Sequence, residues 1–433
     1  MTMAKTMTSP PLAVSAPAAP LWLRQLVRSL IFIFPATVAT LGWGSHVFAL
    51  LLLPALYYGR GWSNLSIWER RLMVGFVTVF AVMALSLVNA EELREGVQAL
   101  ERYLRFALIV PIYLMFRRFG FSPGREFAAG ALLACLAMGI QAFYQVEIQG
   151  LNIAFGAYHK IVFGDLAVWW GTVAATLAVT IARTPLARMG LGLTILAAIY
   201  ASILSQTRGA WLFMPLVPAI LFWAQWGRIK VRRAWVATGL VVLLLATLAA
   251  GSQSERVRDA LSRGVSDLEQ FARDPAEFSS LGTRLNLWRN SLLLLGETPL
   301  LGSGVGDFQA DMQRMVDDGR SWAEGPAQYS HAHSIYFDTL AKGGLLGFTV
   351  SIATLLLLPL IVFRKALLRA REPWERFHAI GGIMMVAAFA TFGLSEGLWS
   401  RNPFVNTYVI SLVMFLAGAV NRRGAEPADG DPP

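Results

Sequence analysis

Residues 343–363 read GGLLGFTVSIATLLLLPLIVF, a stretch without a single charge. A run of that length and apolarity meets the requirement of about 20 residues for an α-helix to cross the hydrocarbon core of a bilayer. Similar runs recur from Leu21 to Val420. They are continuous rather than alternating, which excludes a transmembrane strand barrel. Composition agrees: 55% of the 433 residues are hydrophobic and only 15% are charged, whereas soluble proteins carry about 25% charged residues. The chain therefore reads as an all-α polytopic integral membrane protein.

Twelve spans are expected, at about 24–42, 44–59, 72–90, 103–116, 126–146, 161–182, 187–205, 210–226, 234–251, 334–363, 377–397 and 403–420. The expected organisation is a disordered cytoplasmic N-terminus (1–20), transmembrane helices one to nine (21–251), a periplasmic loop with amphipathic helices (252–333), transmembrane helices ten to twelve (334–420) and a cytoplasmic tail (421–433). The Ala/Pro-rich stretch at 16–20 precedes the first apolar run, so no signal cleavage is expected. An even span count puts both termini on one side. The termini and alternate loops then hold 22 Lys and Arg, against Arg94, Arg102, Arg105, Lys160, Arg208 and Arg401 in short loops opposite. Positive charge marks the cytoplasmic side, so the long loop is expected outside, in a Gram-negative cell the periplasm. Trp22, Trp62, Trp68, Trp169, Trp170, Trp211, Trp223, Trp226 and Trp399 are read as an interfacial belt.

The net charge of +10 is explained by this orientation signal, and no nucleic-acid partner is expected. The single Cys135 excludes an internal disulfide and a thiolate metal cluster. No internal repeat is visible, which counts against a transporter built from repeated halves.

The chemistry is expected in and around the long loop. Ser252-Gln-Ser254 followed by Val257, Leu261, Val265, Leu268 and Phe271 reads as a capped amphipathic helix. A second helix is expected after a Thr283 cap, which would put Arg284 in its first turn. The glycine-rich stretch 299–308 then leads into a third. Residues 252–332 hold eight Arg, no Lys and twelve Asp plus Glu. A general polyanion patch is thus excluded, and any functional arginine acts individually as a fork towards an anionic group.

His331 and His333, in Tyr329-Ser-His-Ala-His-Ser334, are the leading candidates. On a helix a two-residue spacing separates side chains by about 200°, and no carboxylate stands at a metal-pair offset, so no metal is expected. His333 is read as a general base and His331 as a substrate-binding group. Arg208, in Ser205-Gln-Thr-Arg-Gly-Ala-Trp211, is costly beside the membrane unless it meets an anion; ordinary snorkelling to headgroups is the competing reading. A cation such as Arg284 at a helix start needs a compensating anion. Arg102 and Arg105 are further binding candidates, with Arg258 and Arg401 behind them. Gly302-Ser-Gly-Val-Gly306 lacks the Lys-Ser/Thr of a nucleotide loop, and no serine-hydrolase elbow is present.

Together, Arg-Gly-Ala-Trp-Leu at 208–212, Arg-x-x-x-Trp at 284–288, Pro-Leu-Leu-Gly-Ser-Gly-Val-Gly-Asp-Phe at 299–308, His-Ala-His-Ser at 331–334 and Gly-Gly-Leu-Leu-Gly at 343–347 resemble the O-antigen ligase superfamily. That superfamily also contains O-antigen polymerases and protein O-oligosaccharyltransferases. Two positions depart from its pattern: Ser334 stands where many members have Asn, and Lys342 where an acidic residue often precedes the glycines.

The resemblance implies a GT-C-like glycosyltransferase architecture. It also implies a lipid-linked donor, O-antigen glycan on undecaprenyl diphosphate, and lipid A–core as acceptor at the periplasmic face of the inner membrane. Transfer would use no cofactor, with Arg208 and Arg284 stabilising the leaving diphosphate and His333 taking the acceptor proton. Without a carboxylate nucleophile, a single inverting displacement is expected. A monomer is favoured. The alternatives are a polymerase, a protein O-oligosaccharyltransferase and a non-enzymatic lipid-linked-glycan flippase. A flippase would carry charges deep within its spans, whereas Asp165, Asp338 and Glu396 all fall near span ends.

Overall fold

The computed structural model describes residues 17–228 and 255–420. The N-terminal tail before residue 17, the expected span 234–251, the Ser252–Ser254 cap and the C-terminal tail lie outside the described residues. Within them the chain is helical, with no strand. The helices are α1 (Leu21–Thr40), α2 (Gly44–Tyr58), α3 (Ile67–Leu85), α4 (Leu93–Phe119), α5 (Gly124–Phe143), α6 (Lys160–Thr180), α7 (Pro185–Ser205) and α8 (Leu216–Gln225). They continue with α9 (Glu255–Arg273), α10 (Ser280–Glu297), α11 (Phe308–Asp317), α12 (Ile335–Ile352), α13 (Leu358–Arg369), α14 (Pro373–Phe392) and α15 (Asn402–Val420).

Seven helical stretches are long and apolar enough to cross a membrane, and Gly44–Tyr58 is a shorter apolar one. The protein is a polytopic α-helical membrane protein. Three expected spans take a different form. The region at 103–116 lies inside the 27-residue α4. The segment 210–226 is a single helical turn, Arg208–Trp211, followed by bends and then α8; Pro215 and Pro218 supply no backbone N–H there. The segment 377–397 ends its helix at Phe392, where Gly393 caps it, so residues 393–401 form an irregular turn.

Helix α15 is the most enclosed, with 89% of its apolar stretch buried, and α6 follows at 78%, against 28% for α7. Helix α14 packs against both α6 and α15. Trp169, Trp170 and Trp399 are fully buried, which corrects their reading as interfacial residues: Trp169 and Trp170 sit mid-helix in α6, and that helix runs through the centre. Trp399 stacks on Phe389 at 6.0 Å and meets Phe106 and Tyr408 edge-on. Through Trp399 this aromatic layer anchors the 393–401 turn. Cys135 is free and buried.

Helix α12 contains a break at Gly344 (φ 61°, ψ −162°). Its unpaired backbone groups are met by the glycine-rich stretch: the amides of Leu345 and Leu346 donate to the carbonyls of Pro299 and Leu300, and Ser303 N donates to Ala341 O. A Cβ on Gly302 would stand 2.4 Å from Ala341 O, and one on Gly306 would stand 2.2 Å from Gly96 N. Asp307 accepts the amides of Glu91 and Glu92, just before α4. The glycines at 302–306 therefore allow close backbone packing between α4 and the broken α12.

Candidate functional site

The His-Ala-His loop is held from three sides. Trp288 Nε1 on α10 donates to Ala332 O at 3.0 Å while its ring stacks on Phe337 at 5.0 Å. Ala332 N donates to Asp338 Oδ1 at 3.1 Å, and Ser400 Oγ donates to Asp338 Oδ2 at 3.0 Å. Lys342 Nζ pairs with Asp338 at 2.8 Å and donates to Ser330 O at 3.0 Å. Lys342, the departure noted in the sequence, is thus the partner of a buried carboxylate one helical turn away. At the start of α12, Ile335 N donates to Gly393 O at 2.8 Å, joining this loop to the 393–401 turn.

The helix begins only at Ile335, so the helical separation expected for the histidines does not apply. His333 has φ 48°, a left-handed conformation that non-glycine residues adopt mostly where a local constraint imposes it. The two imidazole centres are 4.4 Å apart, and both rings turn onto Glu396. His331 Nε2 lies 3.1 Å from Glu396 Oε1, His333 Nδ1 lies 3.3 Å from Oε2, and Arg401 Nε donates to Oε1 at 2.7 Å. The ligating atoms of His331, His333 and Glu396 all lie within 4.8 Å of one another, a grouping able to hold a metal ion. The sequence reading missed this set because the carboxylate comes from 63 residues further along.

Glu396 is fully buried. Burial pushes its carboxyl upward, but the hydrogen bonds from His331 and His333 and the charge of Arg401 outweigh burial and hold it well below the usual carboxylate range. An ionised carboxylate only accepts hydrogen bonds, so each histidine presents an N–H to it. Burial lowers the pKa of the His331 imidazole, against the opposing pull of Glu396. With Nδ1–H of His333 donating to the carboxylate, Nε2 is the ring nitrogen left to accept a proton.

Arg284 lies in the second turn of α10, not the first: Ser279, not Thr283, caps the helix by accepting from Gly282 N at 3.0 Å. Its placement follows from Trp288, four residues on and so on the same helix face. Arg284 makes no hydrogen bond or ion pair among the described residues. Burial lowers its pKa from the ordinary value, with Glu396 opposing that shift and Arg208 reinforcing it; the guanidinium remains charged. Arg208 reaches Asp267 on α9 at 3.6 Å. The turn bearing Arg208 is fixed by Thr207 Oγ1 donating to Lys160 O at 2.8 Å and by Gly209, where a Cβ would stand 2.2 Å from Ser395 Oγ. Asp165 on α6 stands near Arg284, Arg401 and Glu396.

The structure thus brings together Arg208, Arg284, His331 and His333. Arg105 is committed elsewhere, bridging Glu101 and Asn402 at 2.8 Å each, and Arg102 stands near Lys342. Arg401, weighted low in the sequence, contacts the central carboxylate.

Residues 193–352 match the family model described as O-antigen ligase. This segment is similar to the O-antigen ligases. The matched stretch of the ligase family holds Arg208, Arg284, His331 and His333; Glu396, Arg401 and Lys160 lie outside it. A protein of Haemophilus influenzae described as uncharacterized is 23% identical over 356 residues, covering 80% of this chain and 86% of its own.

Proposed function

We propose that the protein is an O-antigen ligase. In this reading it moves a glycan from undecaprenyl diphosphate to a sugar hydroxyl of lipid A–core at the periplasmic face of the inner membrane, with both termini cytoplasmic. The observation that carries the reading is a largely enclosed Arg284, with no ion pair among the described residues, set near a histidine held by a buried, ionised Glu396. The acceptor hydroxyl oxygen attacks the anomeric carbon while its proton passes to His333 Nε2. The C–O bond to the diphosphate breaks, and its electron pair leaves on the diphosphate oxygen. Arg208 and Arg284 stabilise that growing charge, and the anomeric centre inverts. Glu396 holds the tautomer of His333 and stabilises the imidazolium once formed, as the buried carboxylate does in a Ser-His-Asp triad.

The same three side chains present a metal-binding set, but Arg401 already occupies Glu396 Oε1 and the surrounding charges are cationic, so the metal-independent route is preferred. The test is reconstitution with a defined undecaprenyl-diphosphate glycan, offering lipid A–core, a second donor molecule or a pilin in turn. Elongation of lipid A–core alone identifies a ligase; elongation of the second donor or of the pilin identifies a polymerase or a protein glycosyltransferase instead. Activity that persists in EDTA and vanishes in His333→Ala supports the route described, and strict dependence on a divalent ion overturns it.

A further inference from the structure

Four cations meet where α6 begins. Lys160 is the first residue of that helix, and the Thr207 hydrogen bond to its carbonyl ties it to the turn carrying Arg208. Arg208 Nη1 lies against Gly264 of α9, 3.1 Å from where a Cβ would stand, and Arg263 on the same helix donates to Gln206 Oε1 at 3.0 Å. Arg208, Arg284 and Arg263 are all close enough to act electrostatically on Lys160. The carboxylate paired within this group is Asp267, 3.6 Å from Arg208. Glu396 is already engaged by Arg401 and two histidines.

Lys160 is half-buried, and its ammonium group, like the Arg284 guanidinium, makes no hydrogen bond or ion pair among the described residues. It also stands at a helix N-terminus, where the macrodipole disfavours a cation. Three like-charged neighbours, no carboxylate paired with the ammonium itself among the described residues and an opposing dipole make this an unfavourable place for a cation unless an anion binds there.

We propose, building on the glycosyl-transfer reading above, that Lys160 binds the second phosphate of a lipid diphosphate and so makes the site prefer lipid diphosphates to lipid monophosphates. A guanidinium fork suits one phosphate in a fixed geometry, while a lysine acts as a mobile point charge that suits an additional phosphate. Asp267 offsets part of the charge of Arg208 and Arg263 is engaged with Gln206 Oε1, so the forks of Arg208 and Arg284 alone do not balance a diphosphate. Lys160 supplies the remainder.

The test uses the full-length protein purified in detergent, with farnesyl diphosphate and farnesyl monophosphate as probes of direct binding. Wild type is expected to bind the diphosphate at least about tenfold more tightly, equivalent to about 1.4 kcal/mol. Lys160→Gln is expected to lose that preference while its monophosphate affinity stays within about twofold; Lys160→Arg keeps the preference. Thermal unfolding separates binding from folding: removing one of several mutually repelling cations leaves the ligand-free midpoint unchanged or raised. A Lys160→Gln protein that keeps the preference, loses both affinities equally, or melts lower overturns the assignment of Lys160 alone. A wild-type protein that binds neither probe overturns the glycosyl-transfer reading along with it.

Discussion

Replacing Glu396 with Gln tests the central geometry most directly. The substitution keeps the shape but removes the charge on which His331, His333 and Arg401 converge at 3.1, 3.3 and 2.7 Å. An amide has one acceptor oxygen, so its NH2 must face at least one group that was donating. Hydrogen bonds to a charged partner contribute about 1.5–3 kcal/mol, and removing one partner of a buried ion pair costs about 3–5 kcal/mol. His333 then loses both the tautomer control and the counter-charge that its protonated form requires during transfer. If about 3–5 kcal/mol of that appears in the transition state, kcat falls by about two to four orders of magnitude. KM for the lipid-linked donor should change by less than about threefold, because Arg208 and Arg284 are untouched. The assay is steady-state glycan transfer in proteoliposomes, with the folded fraction of each preparation measured by size-exclusion and thermal unfolding. Glu396→Asp, which keeps the charge at a shorter reach, should recover part of the rate. A Glu396→Gln enzyme within about threefold of wild-type kcat would refute the reasoning, as would a loss no larger than its loss of folded protein.

Arg284→Lys should lower kcat/KM for the donor by about 10–100-fold, the equivalent of about 1.5–3 kcal/mol for a charged hydrogen bond. Arg208→Lys should cost less, because Asp267 already shares that charge; equal losses in donor titrations would contradict this ranking. Gly344→Ala should lower the thermal midpoint and the folded yield. A backbone at φ 61° and ψ −162° is essentially confined to glycine and costs about 1–3 kcal/mol for another residue, and the added Cβ would stand 2.5 Å from Leu300 C; an unchanged midpoint would refute the packing role. Stability should also depend on pH. The folded-state pKa values of His331 and Glu396 both lie below their ordinary values, so each contributes stability that is present at higher pH and lost on acidification. The midpoint should begin to fall below about pH 6.5 through His331 and fall further below about pH 4.5 through Glu396. His331→Gln, which can still donate to Glu396 without titrating, should flatten the first part; an identical profile would argue against it.

Much of this architecture is legible in the sequence, because a bilayer imposes long apolar runs that periodicity and length reveal directly. Seven expected spans coincide with the long apolar helices. The misreadings arise where tertiary contacts decide. Pro215 stands at a break just before α8, inside a stretch whose hydropathy alone reads as one span. Ser279 captures the α10 start ahead of Thr283 because the loop before it folds against α9, with Ser279 Oγ near Asp267 O at 3.5 Å. Four site residues, Arg208, Arg284, His331 and His333, were visible as motifs within one matched segment. Glu396 was visible only as a rare charge between Gly393 and Gly397, since local sequence does not show that this turn meets a loop 63 residues earlier. The same holds for Lys160, which reaches Arg208 through Thr207.

Net charge illustrates the limit of segment-level reading. The loop is acidic as a whole, and that correctly argues against a broad polyanion surface. Yet its charges are sorted in space: Glu297, Asp311, Arg314 and Arg320 pair among themselves beside α11, while Arg263 and Arg284 turn towards Lys160 and Arg208. Apart from α9 and α10, which carry Asp267, Arg263 and Arg284, the elements of the site are helix ends or interruptions: the turn after α7, the start of α6, the loop before α12 and the turn after α14. Hydrogen bonds between these points bring them to one end of the helical bundle. In an apolar solvent irregular backbone is tolerated only where protein or water satisfies its polar groups. A chain restricted to membrane helices therefore concentrates both its polar chemistry and its backbone strain at such ends, and the left-handed His333 at the centre of this cluster combines the two.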